Sequence, residues 1–172
     1  MASKNAVAGT GKGLLVPFLV LLLFWILLNG SVAADTLAVG VLAAFLITLF
    51  FRRGLAPLAE FPFTPRAIIA TVQFIAYFFK EMIKSNIKLA AIVLNPALPI
   101  NPGIVKVRTR LKSRMGRLML ANSITLTPGT LTVELEGEWI YVHWVTVESS
   151  DLEAATARIV AGFESYLEVM YG

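Results

Sequence analysis

The chain has 172 residues, of which 57% are hydrophobic and 15% charged, with a formal net charge of +4 and a mean hydropathy of +0.75. An ordinary soluble domain is roughly 45–50% apolar and about 25% charged, so this balance predicts a membrane protein with one small polar domain. There is no cysteine and a single histidine, His143, which excludes disulfides, thiolate metal sites, cysteine nucleophiles and any multi-histidine metal centre.

The apolar excess is concentrated at the start. Gly13–Gly30 and Asp35–Phe51 form two hydrophobic stretches separated by the short breaker "NGSVAAD". Backbone groups in lipid must pair within their own segment, so the pattern predicts a two-helix transmembrane hairpin over residues 1–53, with spans at about 14–29 and 35–51. Lys4 and Lys12 precede it, Arg52 and Arg53 follow it, and the turn carries only Asp35. The positive-inside rule then places both ends in the cytoplasm of a multi-pass cell-membrane protein. The basic start and the "SVAA" stretch also match a secretory signal cleaved after Ala33, a rival that the immediately following second span disfavours. Neither apolar run, Leu14–Leu28 nor Thr36–Phe51, contains an ionisable residue. Ion and proton paths need such groups inside the membrane, so this chain by itself is expected to move no ions.

Residues 64–94 predict a long amphipathic helix. Thr64 is its N-cap and Pro65 its first helical residue. Lys80, Lys84 and Lys88 recur on one face, with Gln73, Tyr77 and Glu81 on or near it, while Ile68, Val72, Ile75, Phe79, Ile83, Ile87 and Ala90 fall on the other. The placement expected is along the inner, anionic membrane surface with lysines toward lipid phosphates, or partly inserted with the first half dipping into the bilayer; the alternative is a third span packed on a partner.

After the proline-rich Asn95–Gly103 the period changes. In Ile104–Lys112, Val105, Val107 and Leu111 alternate with Lys106, Arg108, Arg110 and Lys112, predicting a strand with one basic face. A short helix follows, with Leu118, Leu120, Ala121 and Ile124 toward a core. A β-hairpin turns about Gly137, and a final helix opens on a Ser150–Glu153 capping box, its stripe being Leu152, Ile159, Phe163, Tyr166, Leu167 and Met170. The fold class expected is therefore membrane α plus small α/β, the cytoplasmic domain (residues 103–172) having the order βαββα. Such a core is marginal for its length, so support from the membrane or another protein is expected. Every charge from Lys106 to Arg117 is positive, whereas from Glu134 onward eight are acidic and only Arg158 is basic. The basic strand, with Arg108 and Arg110, is the face expected against membrane or an acidic partner. RNA is disfavoured because the aromatic consensus strand of RNA-recognition modules is absent.

Motifs for chemistry are few. The glycine cluster Gly9–Gly13 lacks the spacing and preceding strand of a phosphate loop and reads as a tail. In "LANSITLTPGTLTVEL" (residues 120–135), Ser123, Thr125 and Thr127 have no assigned base; Pro128-Gly129 suits a type II turn whose neighbouring hydroxyls cap backbone groups. His143 alternates with Trp139 and Tyr141 as a sheet residue. No catalytic, cofactor or metal residues are expected, and the protein is not expected to be an enzyme.

The stretches "NPALPINPGIVKVRTRL" and "LANSITLTPGTLTVEL", then an aromatic strand ending in His-Trp, resemble the E subunit of the Mrp-type multi-subunit monovalent cation/proton antiporters of bacteria and archaea. The likeness covers nearly the whole chain, including the Lys80-Glu81 helix, and its signature is Thr125, Leu126, Thr127, Pro128, Gly129 and Thr130. The resemblance implies an accessory subunit of a hetero-oligomeric complex that exchanges sodium, or another monovalent cation, for protons, translocation being assigned in that family to the large subunits. Partners implied are the other antiporter subunits, with no nucleic acid. The alternative is a free-standing membrane-anchored binding module.

Overall fold

A computed structural model describes residues 12–55 and 60–172. The basic Lys4, the side chains of Lys12, Arg52 and Arg53, and most of the Gly9–Gly13 cluster lie outside what is described. The chain divides into two compact units, Met1–Phe61 and Pro62–Gly172.

In the first unit, α1 (Lys12–Asn29) and α2 (Ala34–Phe50) pack together, and a short α3 (Arg52–Leu55) follows. Gly30, at φ +61°, ends α1 in the left-handed conformation that glycine adopts without a Cβ penalty. Gly40, Ala44 and Thr48 form the buried seam of α2. Trp25 lies on Gly40, its indole Nε1 donating to the Thr36 carbonyl at 2.9 Å. The expected helix pair is thus present within two residues of the expected bounds. Its crossing of a membrane does not follow from those helices: among the described residues, no helix is long and apolar enough to cross one. The 18 residues of α1 and 17 of α2 correspond to about 27 and 26 Å of helix, against roughly 30 Å of hydrocarbon core.

The second unit contains α4 (Pro65–Leu94), β1 (Gly103–Arg108), α5 (Arg114–Leu126), β2 (Thr130–Glu136), β3 (Trp139–Trp144), α6 (Leu152–Ile159) and α7 (Ala161–Tyr171). As expected, Thr64 caps α4, its Oγ1 accepting from the Ala67 amide at 3.2 Å. The three strands make one antiparallel sheet of order β1-β3-β2, with Val105 opposite Val142 and Val107 opposite Ile140. Val105, Val107, Ile140, Val142 and Trp144 turn to one face and meet Leu120, Ile124, Ile159, Val160, Phe163, Leu167 and Met170 in the core. A bulge at Val133 breaks the β2–β3 register, between Thr132 and Glu134.

Three expectations are corrected. The final helix is two, α6 and α7, meeting at Val160, whose φ of −102° departs from helical geometry. Its N-cap is Asp151, not Ser150: Asp151 Oδ2 accepts from the Ala154 amide at 2.9 Å, and an anionic cap also suits the helix dipole. Leu118 and Leu152 lie outside the core, 52% and 38% exposed.

α4 belongs to this unit and packs along α7. Ala67, Ala70 and Phe74 are its buried residues. Phe163 meets Phe74 and Tyr77 edge-on, at centroid distances of 6.3 and 5.2 Å. Gly162 makes the notch: a Cβ there would collide with the Tyr77 hydroxyl and lie 2.6 Å from its Cζ. Small residues on one helix and a glycine on the other let the backbones approach closely. The outward face of α4 is the apolar one, with Ile68, Val72, Ile75, Phe79, Ile83 and Ile87 all roughly half exposed or more.

Candidate functional site

Three places collect the residues singled out by sequence. The first is the Thr127–Thr130 turn. Gly129 has φ +95°, and the Thr130 amide donates to the Thr127 carbonyl at 3.2 Å, as a type II turn requires. The hydroxyls around it serve the end of α5. Thr127 Oγ1 donates to the Ser123 carbonyl at 2.8 Å, Thr130 Oγ1 to that of Ile124 at 2.7 Å, and Thr132 Oγ1 to that of Ala121 at 3.0 Å. Thr125 Oγ1 in turn accepts the Thr132 amide at 3.2 Å, joining α5 to β2. Backbone carbonyls at a helix end lack helical partners, and these threonines supply them. The hydroxyls are thus engaged in main-chain bonding rather than held against a general base.

The second place is the cleft between α4 and this turn. Tyr77, Glu81 and Lys88 line one side, Thr127–Thr130, Glu148 and Arg158 the other, around a cavity of about 90 Å³. Organic ligands need about 300 Å³ or more, so the cleft has room for a few waters. Its mouth is bridged by charge. Glu148 accepts from Lys88 Nζ at 2.5 Å and from Arg158 Nε at 2.9 Å. These two hydrogen bonds hold the Glu148 carboxyl below its ordinary value. Of the two α4 residues singled out by sequence, Glu81 takes an ion pair with Lys84 at 3.7 Å, and Lys80 is exposed. Sequence reading placed Lys88 in the lysine row but missed Glu148 and Arg158, which lie 60 and 70 residues away and carry no local signal.

The third place is the basic segment expected as one strand over Ile104–Lys112; β1 ends at Arg108, and Arg110 and Lys112 follow it outside the strand. Arg108 reaches Glu138 at 3.0 Å, and its amide is held by Thr156 Oγ1 at 3.1 Å. Arg110 turns the other way, to Glu168 at 3.1 Å and Glu164 at 3.3 Å. Glu164 is 4% exposed and fully bonded, accepting from Thr109 Oγ1 at 2.5 Å and the Arg110 amide at 2.7 Å. The two arginines therefore do not share a site: one lies at the sheet, the other locks the β1 exit to α7. Lys106 sits over the Trp139 ring at 4.1 Å. His143 is half-buried on β3 beside Ile104 and Leu131. Among the described residues, no cluster of three or more His, Asp or Glu is disposed to hold a metal.

The chain is 36% identical over 135 residues to the E subunit of the Na(+)/H(+) antiporter of Alkalihalophilus pseudofirmus, covering 77% of this chain and 83% of that protein. Against the corresponding Na(+)/H(+) antiporter protein of Bacillus subtilis it is 32% identical over 146 residues, 84% and 89% of the two chains. Among solved structures, a chain of the membrane-bound sulfane sulfur reductase, an archaeal respiratory membrane complex, aligns with a TM-score of 0.78 and 37% identity over 92% of this chain and 98% of that one. A family model described as a Na+/H+ ion antiporter subunit matches residues 18–170. These matches bear out the resemblance carried by the Thr125–Thr130 signature, and the chain belongs to the E-subunit family of Na+/H+ antiporters.

Proposed function

We propose that this chain is a non-catalytic, scaffolding subunit of a multi-subunit sodium/proton antiporter. It supports assembly, while cation efflux and proton uptake run through other subunits. The observation that carries the reading is the absence of ionisable side chains from Leu14–Leu28 and Thr36–Phe51, combined with the outward-facing large apolar residues of both helices. A helix pair of that kind has a surface for lipid or neighbouring helices and offers no stepping stones for an ion.

The hairpin inserts in the membrane with both chain ends in the cytoplasm, its short helices matched by local thinning or by flanking residues reaching the interface. The outward ridge of α4 lies along the inner leaflet. Arg66, Lys80 and Lys84 follow one flank of that ridge, where cations meet anionic lipid phosphates. The Thr125–Thr130 turn, with Pro128 and Gly129, keeps the sheet domain in shape, and the Lys88–Glu148–Arg158 clasp keeps α4 on it.

The test is purification of the tagged chain from its native membrane in mild detergent. A large assembly containing several polytopic chains is expected; a stable monomer or small homo-oligomer would overturn the proposal and favour an anchored binding module. The similarity to the archaeal respiratory complex supports a second reading, a subunit of such a complex, and the identity of the co-purifying chains separates the two.

A further inference from the structure

The sheet has one face covered and one open. The residues that alternate with the buried ones turn away from the helices, and the register sets them in three rows: Ile104, Lys106 and Arg108 on β1; His143, Tyr141 and Trp139 on β3; Leu131, Glu134 and Glu136 on β2. Ile104 and Leu131 are 63% and 50% exposed. Lys106 leans over both rings, at 4.1 Å from Trp139 and 5.6 Å from Tyr141. The face is thus a cationic rail and an acidic rail on either side of an aromatic strip, with an apolar end at Ile104 and Leu131.

We propose that this open face seats one short helix of a partner subunit, apolar along its contact side, acidic over the β1 row and basic over the β2 row. The inference rests on the accessory-subunit reading above. Its size selects the occupant. Three strands at about 4.8 Å spacing and six paired positions at about 3.4 Å give a platform of roughly 10 by 20 Å. That is the width of one helix and about 13 residues of its length. The nine side chains of this platform fall well short of the roughly 20–30 residues a side of a stable free interface, so two copies of this chain would not pair through it alone. A helix held nearby in the same membrane assembly binds at high effective concentration and needs no such area. Trp, Tyr and Arg are the residues that anchor interfaces, and the rails of opposite sign admit the helix in one orientation and reject its reverse.

The chain has no cysteine, so single variants report cleanly. Ile104→Cys and Leu131→Cys probe the face, and Ala157→Cys, exposed on α6, is the control. Each is labelled in the purified complex with a maleimide, its rate normalised to the denatured chain. Labelling at 104 and 131 is expected about tenfold slower than at 157, as at the water-excluding centre of an interface. A benzophenone-maleimide at 131 is expected to crosslink to a helical segment of another subunit bearing both charge signs. Equal rates at all three positions with the partners still bound would overturn the inference and leave the accessory reading standing. A homodimer crosslink, or protection with no crosslinked partner peptide, would also overturn it. Loss of all partners on purification would instead strike the accessory reading itself.

Discussion

Gly162→Ala tests how α4 is held. A Cβ at position 162 would meet the Tyr77 ring, with Cζ at 2.6 Å and the hydroxyl nearer still. Carbon atoms attract at 3.5–4.0 Å, so the ring must retreat by about 1 Å or α4 must lift from α7. Tyr77 has little room to rotate, since Phe163 lies 5.2 Å and Tyr166 5.5 Å from its ring centre. Overpacking of this kind costs about 1–3 kcal/mol. For a unit of this size about 4 °C accompanies each kcal/mol, so the unfolding midpoint is expected to fall by roughly 4–12 °C. The assay is thermal unfolding of the full chain in detergent, followed by tryptophan fluorescence, with Trp139 and Trp144 reporting on the sheet. Repeating Gly162→Ala in a Tyr77→Leu background removes the ring, and the second loss should be much smaller than the first. An unchanged midpoint for Gly162→Ala, or the same loss in both backgrounds, would refute the notch.

Three further outcomes are expected. Glu148→Gln breaks both arms of the clasp; because its partners are 48% and 45% exposed, screening limits the loss to about 0.5–1 kcal/mol at neutral pH. The folded-state carboxyl is depressed, so its stabilisation is complete above its unfolded value of about 4.5 and disappears as pH falls through the lower folded value; unfolding midpoints of the two proteins should converge in that acid range, and a constant gap would refute the assignment. Gly129→Ala meets no atom within 4 Å but keeps φ near +95°, so it should cost about 1–2 kcal/mol through the backbone alone. It should lower the amount of assembled complex without changing the sodium dependence of antiport, and normal assembly with altered sodium affinity would contradict a structural turn. Ile83→Asp on the outer ridge of α4 should leave the unfolding midpoint nearly unchanged and reduce complex yield; a loss as large as that of Gly162→Ala would mean the ridge faces inward.

Much of this was legible because local chemistry decided it. The Thr64 cap, the Gly137 hairpin, the alternation of β1 and the Pro128-Gly129 turn each depend on residues within four or five positions. The misses share a different cause. Asp151 won the cap from Ser150 because both lie within reach of the first turn and only three-dimensional placement chooses between them. The helix break at Val160 carries no proline or glycine at the break itself. The side of α4 that meets the domain was illegible for a stronger reason: its most apolar stripe faces out, against the ordinary rule that the apolar face turns to the core. Gly162 was the available signal, a glycine inside a helical stripe that tolerates one only for close packing. Pairing across long separations, as in Lys88 with Glu148 and Arg110 with Glu164, has no local trace.

The distribution of charge carries the functional reading one step further. In transporters, ionisable groups are held inside the membrane and left able to change partners. Here the hairpin stretches have none, and the conspicuous carboxylates of the second unit are already engaged: Glu148 with Lys88 and Arg158, Glu164 and Glu168 with Arg110, Glu138 with Arg108. Each of these bonds ties one segment to another: α4 and α6 to the β3–α6 loop, the segment after β1 to α7, and β1 to the hairpin turn. What they leave unengaged is surface rather than chemistry: the apolar ridge of α4 and the open side of the sheet. Charges that brace the protein's own elements, beside an exposed apolar ridge on α4 and an aromatic strip on the sheet, are the arrangement on which the proposed scaffolding role rests.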